Sequence, residues 1–108
     1  MNDQNLASSP AKLKSLVEYS PNSIVSREII DRDSGSMTAF AFDAGQKLSE
    51  HSAPYDAAVF VMEGKGIFTI AGKENLVSDG ELIVMPADIP HAVKAKEKFK
   101  MLLTMIRK

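Results

Sequence analysis

The chain has two histidines, and each closes a frame that opens on glycine. His51 ends Gly45-Gln-Lys-Leu-Ser-Glu-His51. His91 ends Gly80-Glu-Leu-Ile-Val-Met-Pro86-Ala-Asp88-Ile-Pro90-His91. Brought together by folding, neutral imidazoles can hold zinc, iron, nickel or copper, relay a proton, or hydrogen-bond an organic ligand. Two protein ligands are too few for a tightly held metal, because structural zinc takes four and catalytic zinc three plus water. Glu50 is adjacent to His51 but has the opposite strand parity, which points its carboxylate away. Gln46, Tyr55 and Asp56 fall in turns and stay open as a third donor. Ser49 and Ser52 have no nucleophile-elbow context. Gly64, Gly66, Gly72 and Gly80 are backbone devices, since no strand–helix phosphate loop follows them.

Short strands must carry these frames. From Ile24 the hydrophobic period is two, and turn residues interrupt it every few positions. Ile24-Val25 and Glu28-Ile29-Ile30 begin a first strand that turns at Asp33-Ser34-Gly35. Further strands are expected at 36–43, 48–53, 57–63, 67–71, 75–78, 81–85, 90–95 and 99–107. The last puts Phe99, Met101, Leu103 and Met105 on one face. There is little room for crossover helices, so a sandwich or closed barrel is the physical solution. Residues 1–23 read as an arm and residues 24–108 as the barrel. Within the arm, Ser9-Pro10 could cap and open a two-turn helix with Leu13, Leu16 and Val17 on one face. An extended arm is the competing reading. The stretch Lys94–Lys100 reads as a solvated hairpin whose lysines blunt an edge.

Composition narrows the function. A chain of 108 residues, 44% apolar, makes one domain with one core. Lys plus Arg is 13 and Asp plus Glu is 14, for a net charge of -1. That balance offers no nucleic-acid footprint. The absence of cysteine excludes disulfides, thiol catalysis and iron–sulfur clusters. The polar start MNDQNLASSP is not expected to be a secretory leader, and no apolar run approaches the ~20 residues of a membrane span. A cytoplasmic protein without membrane contact is expected.

The two frames resemble the two motifs of the cupin family. The first family motif is a glycine, five residues, His-x-His, three or four residues, Glu, six residues and Gly. It stands here as Gly45, His51, Ala53, Ala57 and Gly64. The second is a glycine, five residues, Pro-x-Gly, two residues, His, three residues and Asn. It stands here as Gly80, Pro86, Asp88, His91 and Ala95. The resemblance implies an all-β fold, a double-stranded β-helix (jelly-roll) barrel of the small single-domain kind. In metal-binding cupins the liganding positions match His51, Ala53, Ala57 and His91. Half of that set is methyl groups here. The resemblance therefore implies either no cofactor or a divalent metal (zinc, iron, nickel, copper or manganese) held weakly by His51 and His91. Asp88 stands where the family has glycine, and its carboxylate could cap its turn or orient His91.

Ala53 and Ala57 free volume beside the histidines. The expected pocket is lined by His51, His91, Phe42, Tyr55, Met85 and Met101, with Phe40 and Leu103 adding apolar wall. Five methionines in the strands read as flexible core fillers. Three functions fit. The favoured one is a barrel that binds a small organic molecule without catalysis. The second is a metal-dependent enzyme of the oxygenase, isomerase or decarboxylase class, which needs a third ligand. The third is a structural or regulatory dimer whose side chains fill the space. Several strands are apolar on both faces, so the outer face needs the arm or another subunit as cover, and a homodimer is expected.

Overall fold

Alternating side chains and glycine-marked turns give nine strands in the computed structural model, which describes residues 6–107. In chain order they are β1 (Ile24–Arg32), β2 (Gly35–Phe42), β3 (Lys47–His51), β4 (Asp56–Glu63), β5 (Lys65–Ile70), β6 (Lys73–Ser78), β7 (Leu82–Met85), β8 (His91–Lys94) and β9 (Phe99–Ile106). One sheet has the order β1-β2-β9-β4-β7 and the other β3-β8-β5-β6. Every pairing is antiparallel, and strands distant in sequence are neighbours. The architecture is an all-β jelly roll. No helix among the described residues is long and apolar enough to cross a membrane.

The barrel interior differs at its two ends. At one end Phe42 and Phe99 stack with centroids 4.8 Å apart, and Phe68 meets Phe99 edge-on at 6.0 Å. All three rings are fully buried. Gly66 makes this packing possible, because a Cβ there would sit 2.6 Å from the Phe99 ring. At the other end the inward residues shrink to Ala53 and Ala57, and the two histidines stand at the rim. The sheet is thus plugged by aromatics at one end and left open at the other.

The outer face of the five-stranded sheet is covered in part by the chain's own arm. Leu16 and Val17 bury Ala39, Ala41 and Met62. The arm carries a 3-10 turn at Leu13–Ser15, entered from Lys12 with no side-chain cap. Of the two readings of the arm, the extended one holds: no α-helix opens at Ser9-Pro10, and Leu13 is exposed while Leu16 and Val17 are buried. Lys100 corrects the reading of Lys94–Lys100 as solvated throughout. It is 5% exposed on β9, beneath the arm. Its ammonium donates to the Lys14 carbonyl at 2.6 Å, lies 4.0 Å from Glu18 and sits over the Tyr19 ring. Tyr19 in turn donates to Glu63 at 2.6 Å. The β7 side of the same face has no such cover: Leu82, Val84 and Ile106 are exposed.

Candidate ligand-binding site

The register of β3 against β8 pairs His51 directly with His91. Their Nε2 atoms are 3.2 Å apart and their rings meet edge-on. A register shift between Leu48 and His51 makes this possible. Leu48 and His51 have opposite parity, yet both line the interior, because the extra residue of the bulge flips the strand once. Glu50 lies instead in an outward recess with Lys47 and Thr69. Each Nδ1 is held by a backbone carbonyl: Ser49 O at 2.9 Å for His51 and Ile89 O at 3.2 Å for His91. His91 is 7% exposed, whereas His51 sits at the rim. Burial pushes the His91 imidazole below its ordinary value of 6.5. The Ile89 hydrogen bond opposes that shift, and the neighbouring His51 adds to it.

Behind the pair lies a cavity of about 120 Å³. Its wall comes from both sheets. Leu48, His51, His91 and Val93 face Ala57, Met85 and Met105 across the barrel, with Met101, Leu103 and Phe40 at its depth and Ala53 and Tyr55 at its rim. Ala57 pairs with Met85 on one side and Met105 on the other. Its methyl group therefore stands between two flexible thioethers and leaves the space open.

Of the sequence-predicted residues, the structure brings His51, His91, Tyr55, Met85 and Met101 to this cavity. Phe40 and Leu103 join them. Phe42 is not on the wall. It shares the inward parity of Phe40 but pairs with Phe99, two residues deeper, and is consumed in the aromatic plug. Parity predicts the face of a strand and not the depth along it. Met105, Leu48 and Val93 were missed. Met105 was legible, since it continues the inward series of the last strand, while Leu48 was hidden by the bulge.

The polar residues of the flanking turns serve the fold. Asp56 accepts the Ala87 amide at 2.8 Å and ties the start of β4 to the loop before β8. Asp88 adopts φ 65°, a left-handed conformation open to glycine and tolerated by Asp, and its amide donates to Ala53 O at 2.7 Å. The Ile89 carbonyl, not the Asp88 carboxylate, orients His91. The Gln46 carbonyl accepts the Ala95 amide, beyond the β3–β8 pair Lys47–Lys94 and away from the histidine rim. Tyr55 lies beneath the Arg107 guanidinium, 5.7 Å from its ring centroid.

The two nitrogens are spaced as two ligands of a tetrahedral ion would be, but nothing completes the set. Ala53 and Ala57 offer no lone pair. Among the described residues there is no group of three or more His, Cys, Asp or Glu able to hold a metal. The residues present do not fit a tightly held divalent ion.

The cupin domain pattern matches residues 39–107, from the middle of β2 through β9. This chain is a cupin. Among solved structures, a conserved protein of unknown function from Streptococcus pyogenes is 36% identical, with a TM-score of 0.89 over 94% of this chain and 89% of that one. A cupin 2 conserved barrel domain protein from Leptotrichia buccalis is 41% identical, with a TM-score of 0.85, over 87% of this chain and 46% of its own. A cupin superfamily protein from Desulfitobacterium hafniense is 25% identical, with a TM-score of 0.88 over 94% and 93%. No curated protein matches the sequence significantly. The cupin resemblance of the two glycine frames is thus borne out in family and fold.

Proposed function

We propose that this cupin is a small-molecule-binding barrel, with the ligand seated in the apolar cavity and its polar group read by His51 and His91. One observation carries the reading. The two imidazoles converge at the rim of a cavity whose remaining wall is largely aliphatic, thioether and aromatic. Aliphatic residues would pack this end at lower polar cost, so a buried His91 makes sense as a ligand contact. The missing ligand set at Ala53 and Ala57 argues against metal-dependent turnover, and the open volume argues against a barrel filled for purely structural ends.

The test is an NMR fragment screen on protein with labelled methionine methyl groups. Binding should move the signals of Met85, Met101 and Met105 and leave Met62, under the arm, in place. A broad screen that moves none of the three contradicts the reading.

We also propose that two copies pair through the β7 side of the five-stranded sheet. The arm already covers the β2 side, whereas β7 is an edge strand whose Leu82 and Val84 stay exposed beside β4. A second copy presenting the same apolar edge would cover both. Light scattering should give twice the 11.8 kDa chain mass, falling to the chain mass in Leu82→Glu. A wild-type monomer contradicts this.

A further inference from the structure

The mouth of the cavity is framed by His51, Ala53 and Tyr55, the wall residues that sit at the rim. Ala53 has no side-chain rotamer that could clear the opening. The His51 ring is tethered at both nitrogens, to Ser49 O and to His91. Tyr55 carries the largest of the three side chains, is half-buried, and can swing about χ1.

The backbone around Tyr55 is fixed on both sides. The Asp88 amide donates to Ala53 O at 2.7 Å, and the Ala87 amide donates to the Asp56 carboxylate at 2.8 Å. Pro54 locks its own φ between them. The turn is pinned to the loop before β8, and the motion left to it is rotation of the Tyr55 side chain.

The Arg107 guanidinium opposes that rotation. It lies over the Tyr55 ring, 5.7 Å from the centroid and within cation–π reach. Arg107 is itself held in place. Its Nη1 donates to Arg32 O at 2.6 Å and lies 3.7 Å from the Asp31 carboxylate, and its amide donates to Ser34 O at 2.7 Å. The end of β1 and its turn thus hold a cation over a ring that walls the cavity. These contacts occupy the guanidinium, which makes it a catch on Tyr55 rather than a site for an anion.

We propose that Tyr55 is the gate of the cavity and that Arg107 is the positioning residue that holds it shut. The pair sets how fast a ligand enters and leaves, a role that rests on the pocket reading above.

A catch that acts equally on the empty and the filled cavity changes both rates by one factor and leaves the affinity alone. Loss of a residue that only walls the cavity changes affinity, chiefly through the off-rate. Benzene is the probe, since the cavity of about 120 Å³ is close in size to the ~150 Å³ cavity known to hold it. Relaxation dispersion of the Met85, Met101 and Met105 methyl signals gives the two rates, and titration gives Kd. Each variant is first shown to melt cooperatively. Arg107→Gln keeps a donor for Arg32 O but loses the cation. It should raise both rates about two- to fivefold, the worth of one exposed cation–π contact, with Kd unchanged. Tyr55→Phe keeps the ring and should keep the wild-type rates. Tyr55→Ala removes the gate and should give the fastest entry of all. Wild-type on-rates in both Arg107→Gln and Tyr55→Ala overturn the gate and leave the pocket standing. A change of Kd in Arg107→Gln carried by the off-rate alone also overturns it. Failure of benzene to bind the wild type and all three variants removes the pocket reading as well.

Discussion

Replacing Ala57 with leucine should make the protein more stable and abolish ligand binding. Ala57 is buried between Met85 and Met105 and faces the cavity. Leucine adds three carbons, worth about 2.4 kcal/mol at ~0.8 kcal/mol per buried carbon. The cavity offers a second estimate. Filling about 120 Å³ at ~24 cal/mol per Å³ recovers about 2.9 kcal/mol. Both figures are upper bounds, because the pocket is open at the histidine rim and leucine cannot fill it perfectly. A gain of about 1–2 kcal/mol is expected, or about 5–10 °C in Tm for a domain of this size. The assays are urea unfolding and the methionine-methyl titration on the same sample. Native barrels that trade stability for an empty site show this pairing of gain and loss. A destabilised Ala57→Leu that still binds ligand would refute the reasoning, since it would mean that no usable space lies beside Ala57.

Three further outcomes are expected. The His91 imidazole is held below its ordinary 6.5 by burial, so the unfolded chain binds the proton first. The stability present at neutral pH should therefore be lost as pH drops below about 6.5 toward the lowered folded value, and His91→Asn should flatten that slope in urea unfolding from pH ~7.5 to ~5. Lys100→Met keeps the buried stem but loses the hydrogen bond to Lys14 O. It should cost about 1–2 kcal/mol and speed proteolysis of the arm, and an unchanged digestion pattern would contradict the anchoring role. Gly66→Ala forces a Cβ to 2.6 Å from the Phe99 ring, whose other face is stacked on Phe42. It should destabilise by about 1–3 kcal/mol in thermal unfolding.

The sequence carried the nine strands, since each is a short alternating run bounded by turn residues such as Asp79-Gly80 and Ala71-Gly72. It carried the pairing of His51 with His91 only through the two glycine frames. What it could not carry was depth and local irregularity. Phe40 and Phe42 look alike by period, yet one lines the cavity and the other plugs the barrel end. The bulge that turns both Leu48 and His51 inward has no glycine or proline to mark it. Lys100 reads as a surface charge among lysines until the arm folds over it. Asp88 reads as a partner for His91, but its left-handed backbone serves the turn. In each case the deciding contact comes from a segment distant in sequence.

The central claim is that the barrel has an empty, reachable cavity between the histidine pair and Ala57. A crystal under xenon pressure tests it most directly, because xenon enters apolar cavities of this size without needing a polar contact. The account predicts one strong anomalous peak among Met85, Met105, Ala57 and the two imidazoles. A barrel with no peak there, and with Met85 and Met105 filling the space, would contradict it.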